Sequence, residues 1–161
     1  MNIFVLNNCN MKEFKSTEDI LNFAIEAEQD AFEFYSKLAG GATSEQMKKV
    51  FEQFAQEESG HKAKLLKILE TGMVEMTHEK VADLKIADYT VSVEVNENMT
   101  YQDALIVAMK KEKAAFRLYL ALSERAPSAS LKDLFMMLAT EESKHKLRFE
   151  IEYDEFVLRE N

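Results

Sequence analysis

Four long stretches of the chain carry apolar residues at alternating spacings of three and four, the period of a helix with one buried face. Capping motifs open these stretches, and Gly or Pro ends three of them. The pattern therefore predicts an all-α protein built from four helices. The predicted helices run from the cap Ser16 to Ala39, from Thr43 or Ser44 to just before Gly72, from the cap Thr100 to just before Pro127, and onward from the cap Ser130.

The helical period is lost between Met73 and Met99, and residues 89–95 are typical of an extended segment. A connection of this length can run along a whole bundle, which leaves the second and third helices parallel. We therefore predict a four-helix bundle with one long crossover, formed by residues 16–161. Residues 1–15 show no sustained period and are predicted to form an N-terminal arm, which could pack on a partner subunit.

The second half of the chain repeats the first, because adding 84 to a residue number carries one helix pair onto the other without a gap. Such a match, kept through both helices of each half, is not a chance event. Several polar and aromatic residues obey the same offset. They are Glu28 with Glu112, Tyr35 with Tyr119, Glu58 with Glu142, and His61 with His145.

Four glutamates and two histidines occupy positions that the helical period assigns to the bundle interior. An unpartnered buried carboxylate costs several kcal/mol or more, and the same interior positions carry no Lys or Arg. Divalent cations would neutralise the carboxylates. We therefore interpret these residues as metal ligands: Glu28, Glu58, His61, Glu112, Glu142 and His145.

The spacing of these residues also places them at one level of the bundle. Both glutamate pairs are separated by 30 residues in sequence and straddle their interhelical turns about evenly. A rise of ~1.5 Å per residue then brings the two members of each pair side by side. Two helices that each give one Glu and two that each give Glu-x-x-His are typical of a carboxylate-bridged dimetal centre. A single Glu-x-x-His would more simply indicate a solvated helix face.

Four neighbouring residues allow more than one interpretation. Glu57 and Glu141 either lie outside the ligands or replace them in a slightly rotated helix. Tyr35 and Tyr119 lie two turns beyond the glutamates of their helices. They are either core aromatics or donors that hold a ligand carboxylate and offer an oxidisable group near the metals.

The formal net charge of -9 argues against nucleic acid as a partner and favours cations. The sequence shows neither a secretory signal nor an apolar run that could span a bilayer, so we expect a cytoplasmic protein without a membrane partner. The single Cys9 cannot close an intrachain disulfide. We assign no chemistry to it or to His78.

At the residues of the proposed metal site, the chain resembles the ferritin-like superfamily and, within it, the diiron domain of rubrerythrins. The resemblance covers about residues 17–158. It implies a non-haem diiron centre that reacts with peroxide or dioxygen, with His61 and His145 as nitrogen ligands. It also implies that Glu58 and Glu142 are terminal or chelating ligands, and that Glu28 and Glu112 can bridge.

Two features depart from the rubrerythrin pattern. Rubrerythrins carry a further Glu three residues after the ligand of the third helix, where this sequence has Ala115. This absence makes the site resemble the symmetric ferroxidase centre of bacterioferritins. Rubrerythrins also carry a rubredoxin domain with two Cys-x-x-Cys pairs, which this sequence cannot form with its single Cys9. We therefore expect a separate electron-donor protein such as a rubredoxin.

Together these features predict an oxidoreductase that oxidises two Fe(II) ions per chain with peroxide or dioxygen. The alternative is an iron-handling or metal-sensing protein without steady turnover. Glu and His ligands suit manganese as well as iron. We expect a homo-oligomer, with a dimer favoured.

Overall fold

The computed structural model describes residues 12–72, 81–84, 95–96 and 99–160. The predictions for Cys9, for His78 and for most of the extended segment at 89–95 concern residues outside the described part of the chain. The elements are β1 (Lys12–Phe14), α1 (Thr17–Gly40), α2 (Glu45–Thr71), β2 (Val81–Leu84), α3 (Tyr101–Glu124) and α4 (Ala129–Glu160). The predicted four-helix architecture is confirmed.

Contacts between helices establish their relative directions. Tyr35 contacts Glu112 while Tyr119 contacts Glu28, so α1 and α3 run antiparallel. The turn from Gly41 to Ser44 makes α2 antiparallel to α1, and therefore parallel to α3. A long crossover between α2 and α3 follows, as the sequence predicts.

A serine or threonine side chain caps the N-terminus of each of the four helices. Ser16, Ser44 and Thr100 each accept a hydrogen bond from the backbone N–H three residues ahead, all at 3.1 Å. Such a cap satisfies one of the N–H groups that a helix start leaves unpaired. The prediction was wrong for α4, whose cap is Ser128 and not Ser130. Its hydroxyl accepts from the N–H of Leu131 at 3.2 Å, so the helix begins two residues earlier than predicted, at Ala129.

Two apolar clusters fill the bundle on either side of a central polar layer. Near one end, Leu21, Leu65, Leu122 and Phe135 are among the buried residues. Towards the other end, buried aromatics dominate, and the rings of Phe54 and Phe149 stack with centroids 3.8 Å apart. Desolvation of these side chains supplies the main stabilisation of the bundle. The metal-ligand candidates lie between the two clusters.

The end of the predicted N-terminal arm belongs to the fold. β1 pairs antiparallel with β2 in the crossover, with Lys12 opposite Leu84 and Phe14 opposite Val81. The side chain of Phe14 is fully buried, and its ring meets that of Phe23 edge-on at 5.4 Å. The core therefore begins at least two residues before the predicted boundary at residue 16. A three-residue strand is too short for its period to be recognised in the sequence.

None of the helices in the described part of the chain combines the length and hydropathy that a membrane span requires.

We predict that Phe14→Ala lowers the free energy of unfolding by about 3–5 kcal/mol, because truncation of a buried phenylalanine loses apolar contact and leaves a cavity. Urea denaturation followed by circular dichroism measures the change. The matched control is Met137→Ala, since Met137 is 41% exposed and its truncation is expected to change stability far less than that of a fully buried side chain. Equal effects of the two substitutions would contradict the placement of Phe14 in the core.

Candidate metal centre

All six predicted ligands converge in the central layer of the bundle. α1 and α3 each provide one glutamate, whereas α2 and α4 each provide a glutamate and, one turn later on the same face, a histidine. Taken as whole residues, none of the six is more than 5% exposed. The structure thus brings together every residue predicted as a ligand: Glu28, Glu58, His61, Glu112, Glu142 and His145.

The two histidines face the carboxylates in the same way. Nδ1 of His61 lies 3.1 Å from Glu142, 3.3 Å from Glu58 and 3.6 Å from Glu28. Nδ1 of His145 repeats these distances, at 3.1 Å from Glu58, 3.3 Å from Glu142 and 3.6 Å from Glu112. The internal repeat therefore produces a site with twofold geometry.

The donor atoms form two overlapping groups, each of which could hold one metal ion. One group comprises Glu28, Glu58, His61 and Glu142, and its ligand atoms all lie within 4.8 Å of one another. The other comprises Glu58, Glu112, Glu142 and His145, with the same spacing. Glu58 and Glu142 belong to both groups.

This overlap corrects one expectation. The rubrerythrin resemblance led us to treat Glu28 and Glu112 as the bridging ligands, but each of them belongs to one group only. Glu58 and Glu142 lie between the two positions, because each reaches both histidines with its two carboxylate oxygens. The geometry therefore favours Glu58 and Glu142 as bridges and Glu28 and Glu112 as terminal ligands.

Two tyrosines hold the terminal carboxylates from across the bundle. The hydroxyl of Tyr35 donates to Oε1 of Glu112, and that of Tyr119 donates to Oε1 of Glu28. Burial, and then the nearby carboxylates, raise the pKa of both tyrosines well above the ordinary value, so the hydroxyls remain donors. Each bond occupies one oxygen of its carboxylate and leaves the other facing the centre.

Unpaired buried atoms test whether the site fits a metal. Among the described residues, four buried side-chain atoms have no hydrogen-bond partner: Glu28 Oε2, His61 Nδ1, Glu112 Oε2 and Glu142 Oε1. His61 Nδ1 and Glu142 Oε1 are 3.1 Å apart without hydrogen-bond alignment. All four atoms belong to the candidate groups. Donors bound at ~2.1 Å to one ion lie roughly 3.0–3.4 Å apart, close to the separations observed here. The donor set therefore fits divalent ions of the first transition row.

The electrostatics indicate how the carboxylates are neutralised by protons when metal is absent. Burial raises the pKa of Glu28 to about 8, and burial with the neighbouring carboxylates raises that of Glu142. For Glu58 burial alone would raise the pKa, but hydrogen bonds with His145 and His61 lower it to about 2. For His61 burial alone would lower the pKa, yet Glu142, Glu28 and Glu58 raise it to about 12.

The residues around the ligands differ between the two halves. Nε2 of His145 lies 2.9 Å from Glu57, and Nη1 of Arg148 lies 2.8 Å from each oxygen of Glu57. Glu57 thus lies outside the ligands, one of the two interpretations that the sequence allowed. Arg148 was missed by sequence reasoning. Its position one turn after His145 could have indicated a role beside the ligands. An arginine at such a spacing is, however, common on solvated helix faces.

Comparisons with known proteins agree with this architecture. The rubrerythrin family model matches residues 19–102 and 103–161. A solved structure of a hypothetical protein from Pyrococcus furiosus is similar, with a TM-score of 0.61 and 29% identity over 85% of this chain and 87% of that chain. The search of curated proteins found no match.

The fold and the buried Glu/His cluster define a ferritin-like four-helix bundle compatible with a diiron site. The family match covers most of the chain, and the chain belongs to the rubrerythrin family.

We predict that the protein, once stripped of metal by a chelator, melts at a lower temperature at pH 9 than at pH 6. The stability that protonation of Glu28 contributes is complete below pH 4.5 and is lost as pH rises to its folded pKa of about 8. The stability that protonation of His61 contributes is complete below pH 6.5 and is lost as pH rises towards its folded pKa of about 12. Both changes have the same sign in this pH range.

Scanning calorimetry in the presence of chelator measures this effect. Glu28→Gln is expected to reduce the difference between the two melting temperatures, because one of the titrating groups is gone. A melting temperature that is unchanged or higher at pH 9 in the unmodified protein would contradict the electrostatic account.

Proposed function

We propose that this protein is a non-haem diiron oxidoreductase that oxidises Fe(II) with peroxide or dioxygen. The observation that carries the proposal is the pair of buried donor groups that share Glu58 and Glu142. Membership of the rubrerythrin family supports iron as the metal, although the same donors suit manganese. Two groups with one histidine each support two ions per chain.

The chain's own residues would hold the ions with fixed geometry. Glu58 and Glu142 would bridge the two positions, and Glu28 and Glu112 would each complete one of them. Tyr35 and Tyr119 would keep the terminal carboxylates in place through hydrogen bonds to the oxygens that face away from the centre. The bound pair of Fe(II) ions would supply the two electrons that, together with two protons from solvent, reduce one hydrogen peroxide to two waters.

Apolar residues next to the site would limit the access of water. The rings of Tyr35, Phe54 and Phe149 pack together on one side of the ligands, and Tyr119 stacks on Phe135 at 6.0 Å on the other. Exclusion of water strengthens the electrostatic interactions between ligands and ions. It would also favour small oxidants such as peroxide and dioxygen over larger ones.

Ala115 supports a symmetric site. It lies half-buried on α3, three residues after Glu112, and its methyl group offers no oxygen to an ion. Each position then keeps one histidine and one terminal glutamate, as in a ferroxidase centre. Peroxidase and ferroxidase turnover remain the two forms of the proposed activity.

We propose two kinds of partner, an electron donor and a second copy of the chain. Oxidised iron must be reduced again for turnover, and these 161 residues contain a single Cys, so we propose a separate electron donor such as a rubredoxin. We also propose a homo-oligomer, with a dimer favoured. Leu147, Ile151 and Leu158 lie on one face of α4 and are at least 50% exposed, which supports an apolar contact with another copy.

Stopped-flow absorbance after mixing anaerobic Fe(II)-loaded protein with peroxide, and separately with dioxygen, tests the proposal. We expect Fe(III) to form within one fast phase that is saturated at two ions per chain. Steady consumption of peroxide with a supplied reductant would establish turnover. Binding of iron without faster oxidation than free Fe(II) would favour the alternative, an iron-handling or metal-sensing protein.

We predict that Glu58→Ala reduces binding from two ions per chain to one or fewer, because a ligand shared by both positions is lost. The substitution takes an ionised partner from His61 and His145, but the bundle is expected to remain folded because the apolar clusters on both sides of the polar layer are unchanged. Anaerobic Fe(II) titration followed by metal analysis measures the stoichiometry. Glu52→Ala is the control, because Glu52 is exposed on the same helix and pairs with Lys48 at 3.9 Å.

Retention of two tightly bound ions in Glu58→Ala would exclude Glu58 as a bridging ligand. Loss of binding in Glu52→Ala to the same extent would show that the effect is not specific to the site.

A further inference from the structure

The two halves of the metal centre are equivalent at the ligands but not behind them. The outer nitrogen of His145, Nε2, lies 2.9 Å from Oε2 of Glu57. Nη1 of Arg148 donates to both oxygens of Glu57, at 2.8 Å each. The histidine is therefore connected, on the side away from the carboxylate centre, to a carboxylate that is itself held by a guanidinium group.

Aromatic packing fixes this arrangement. The guanidinium of Arg148 lies over the ring of Phe54, 4.3 Å from its centroid. The same ring meets the imidazole of His145 edge-on at 5.1 Å and stacks on Phe149. Arginine over an aromatic face is stabilised by the ring quadrupole, and its planar group loses little further freedom on pairing. The charged pair is thus anchored to the apolar cluster.

The corresponding positions around His61 do not make these contacts. The offset of 84 places Glu141 opposite Glu57, Lys64 opposite Arg148 and Leu138 opposite Phe54. Glu141 pairs instead with Lys144 on its own helix, at 2.9 Å. Within the described ranges, no hydrogen bond or ion pair joins Nε2 of His61 to another side chain.

Both histidines are almost fully buried, so their difference lies in their partners. The His61 side chain is 7% exposed and the His145 side chain 2%. A metal-bound histidine that donates its other N–H to a carboxylate has a fixed tautomer, a fixed ring orientation and a more basic ligand nitrogen. Glu57 can provide all three effects for His145. The side chains around His61 provide none of them by direct contact.

We propose that Glu57 and Arg148 are positioning residues that make the metal position beside His145 the tighter of the two. The first ion then binds the group of Glu58, Glu112, Glu142 and His145, and the second binds beside His61. This inference rests on the dimetal site of the proposed function, and it adds an order of loading that the ligands alone do not supply. Partners of this kind typically change metal affinity by about 10–100-fold.

Anaerobic titration of metal-free protein with Co(II), followed by calorimetry and visible absorption, tests the proposal. The unmodified protein is expected to bind two ions in two steps of different affinity. Glu57→Ala is expected to weaken the tighter step by about 10–100-fold and to bring the two affinities together. Glu141→Ala, the matched control in the other half, is expected to leave both steps unchanged.

Two conservative variants separate positioning from a merely structural role. Glu57→Gln keeps an acceptor for the histidine N–H but loses the charge, so it is expected to weaken the tighter step less than Glu57→Ala does. Arg148→Lys keeps the charge but loses the planar group that lies over Phe54, and a smaller loss at the same step is expected. Circular dichroism of the metal-free variants establishes whether they are folded. If Glu57→Ala does not fold, the affinities of Glu57→Gln and Arg148→Lys test the proposal.

Nitrogen-15 NMR of the Zn(II)-loaded protein gives a second signature. A protected Nε2–H signal from His145 is expected in the unmodified protein and in Glu141→Ala, and its loss is expected in Glu57→Ala. Two steps of equal affinity, or equal effects of Glu57→Ala and Glu141→Ala, would overturn the proposal while leaving the dimetal site intact. Failure of the unmodified protein to bind Co(II) or Fe(II) would overturn both.

Discussion

Neutralisation of four buried carboxylates is the constraint on which the rest of the structure depends. The central layer of the bundle contains Glu28, Glu58, Glu112 and Glu142 between two apolar clusters, without a Lys or Arg among the buried residues of the described chain. Charge of this kind must be removed by protons, balanced by the two histidines or balanced by cations. The raised pKa of Glu28 and the raised pKa of His61 reflect the first two responses. The unpaired atoms that face one another indicate the third.

The antiparallel arrangement of α1 with α3, and of α2 with α4, converts a repeat in sequence into twofold geometry in space. Each tyrosine reaches the glutamate of the opposite half, and each histidine reaches the shared glutamates at matching distances. The symmetry ends at the residues behind the ligands. Arg148 and Phe54 differ from their counterparts Lys64 and Leu138, so the two candidate metal positions lie in different environments.

The residues of the candidate site could be predicted from sequence, because a carboxylate at a buried position of the helical period is costly and therefore informative. Which glutamates are shared by the two donor groups could not be predicted, since this depends on how far each side chain extends between helices. Ser128 and Ser130 are equally good caps by residue type, and only the backbone geometry distinguishes them. Phe14 belongs to a strand too short to show a period. Arg148 acquires its role through a contact with another helix, which spacing within α4 does not reveal.

Anomalous diffraction from crystals of the Fe(II)-loaded protein, recorded at the iron edge, tests the central claim most directly. The account predicts two iron peaks per chain in the middle of the bundle, with Glu58 and Glu142 bound to both ions. It predicts His61 and Glu28 at one peak and His145 and Glu112 at the other. A single peak, or iron bound elsewhere while these carboxylates remain protonated, would contradict it.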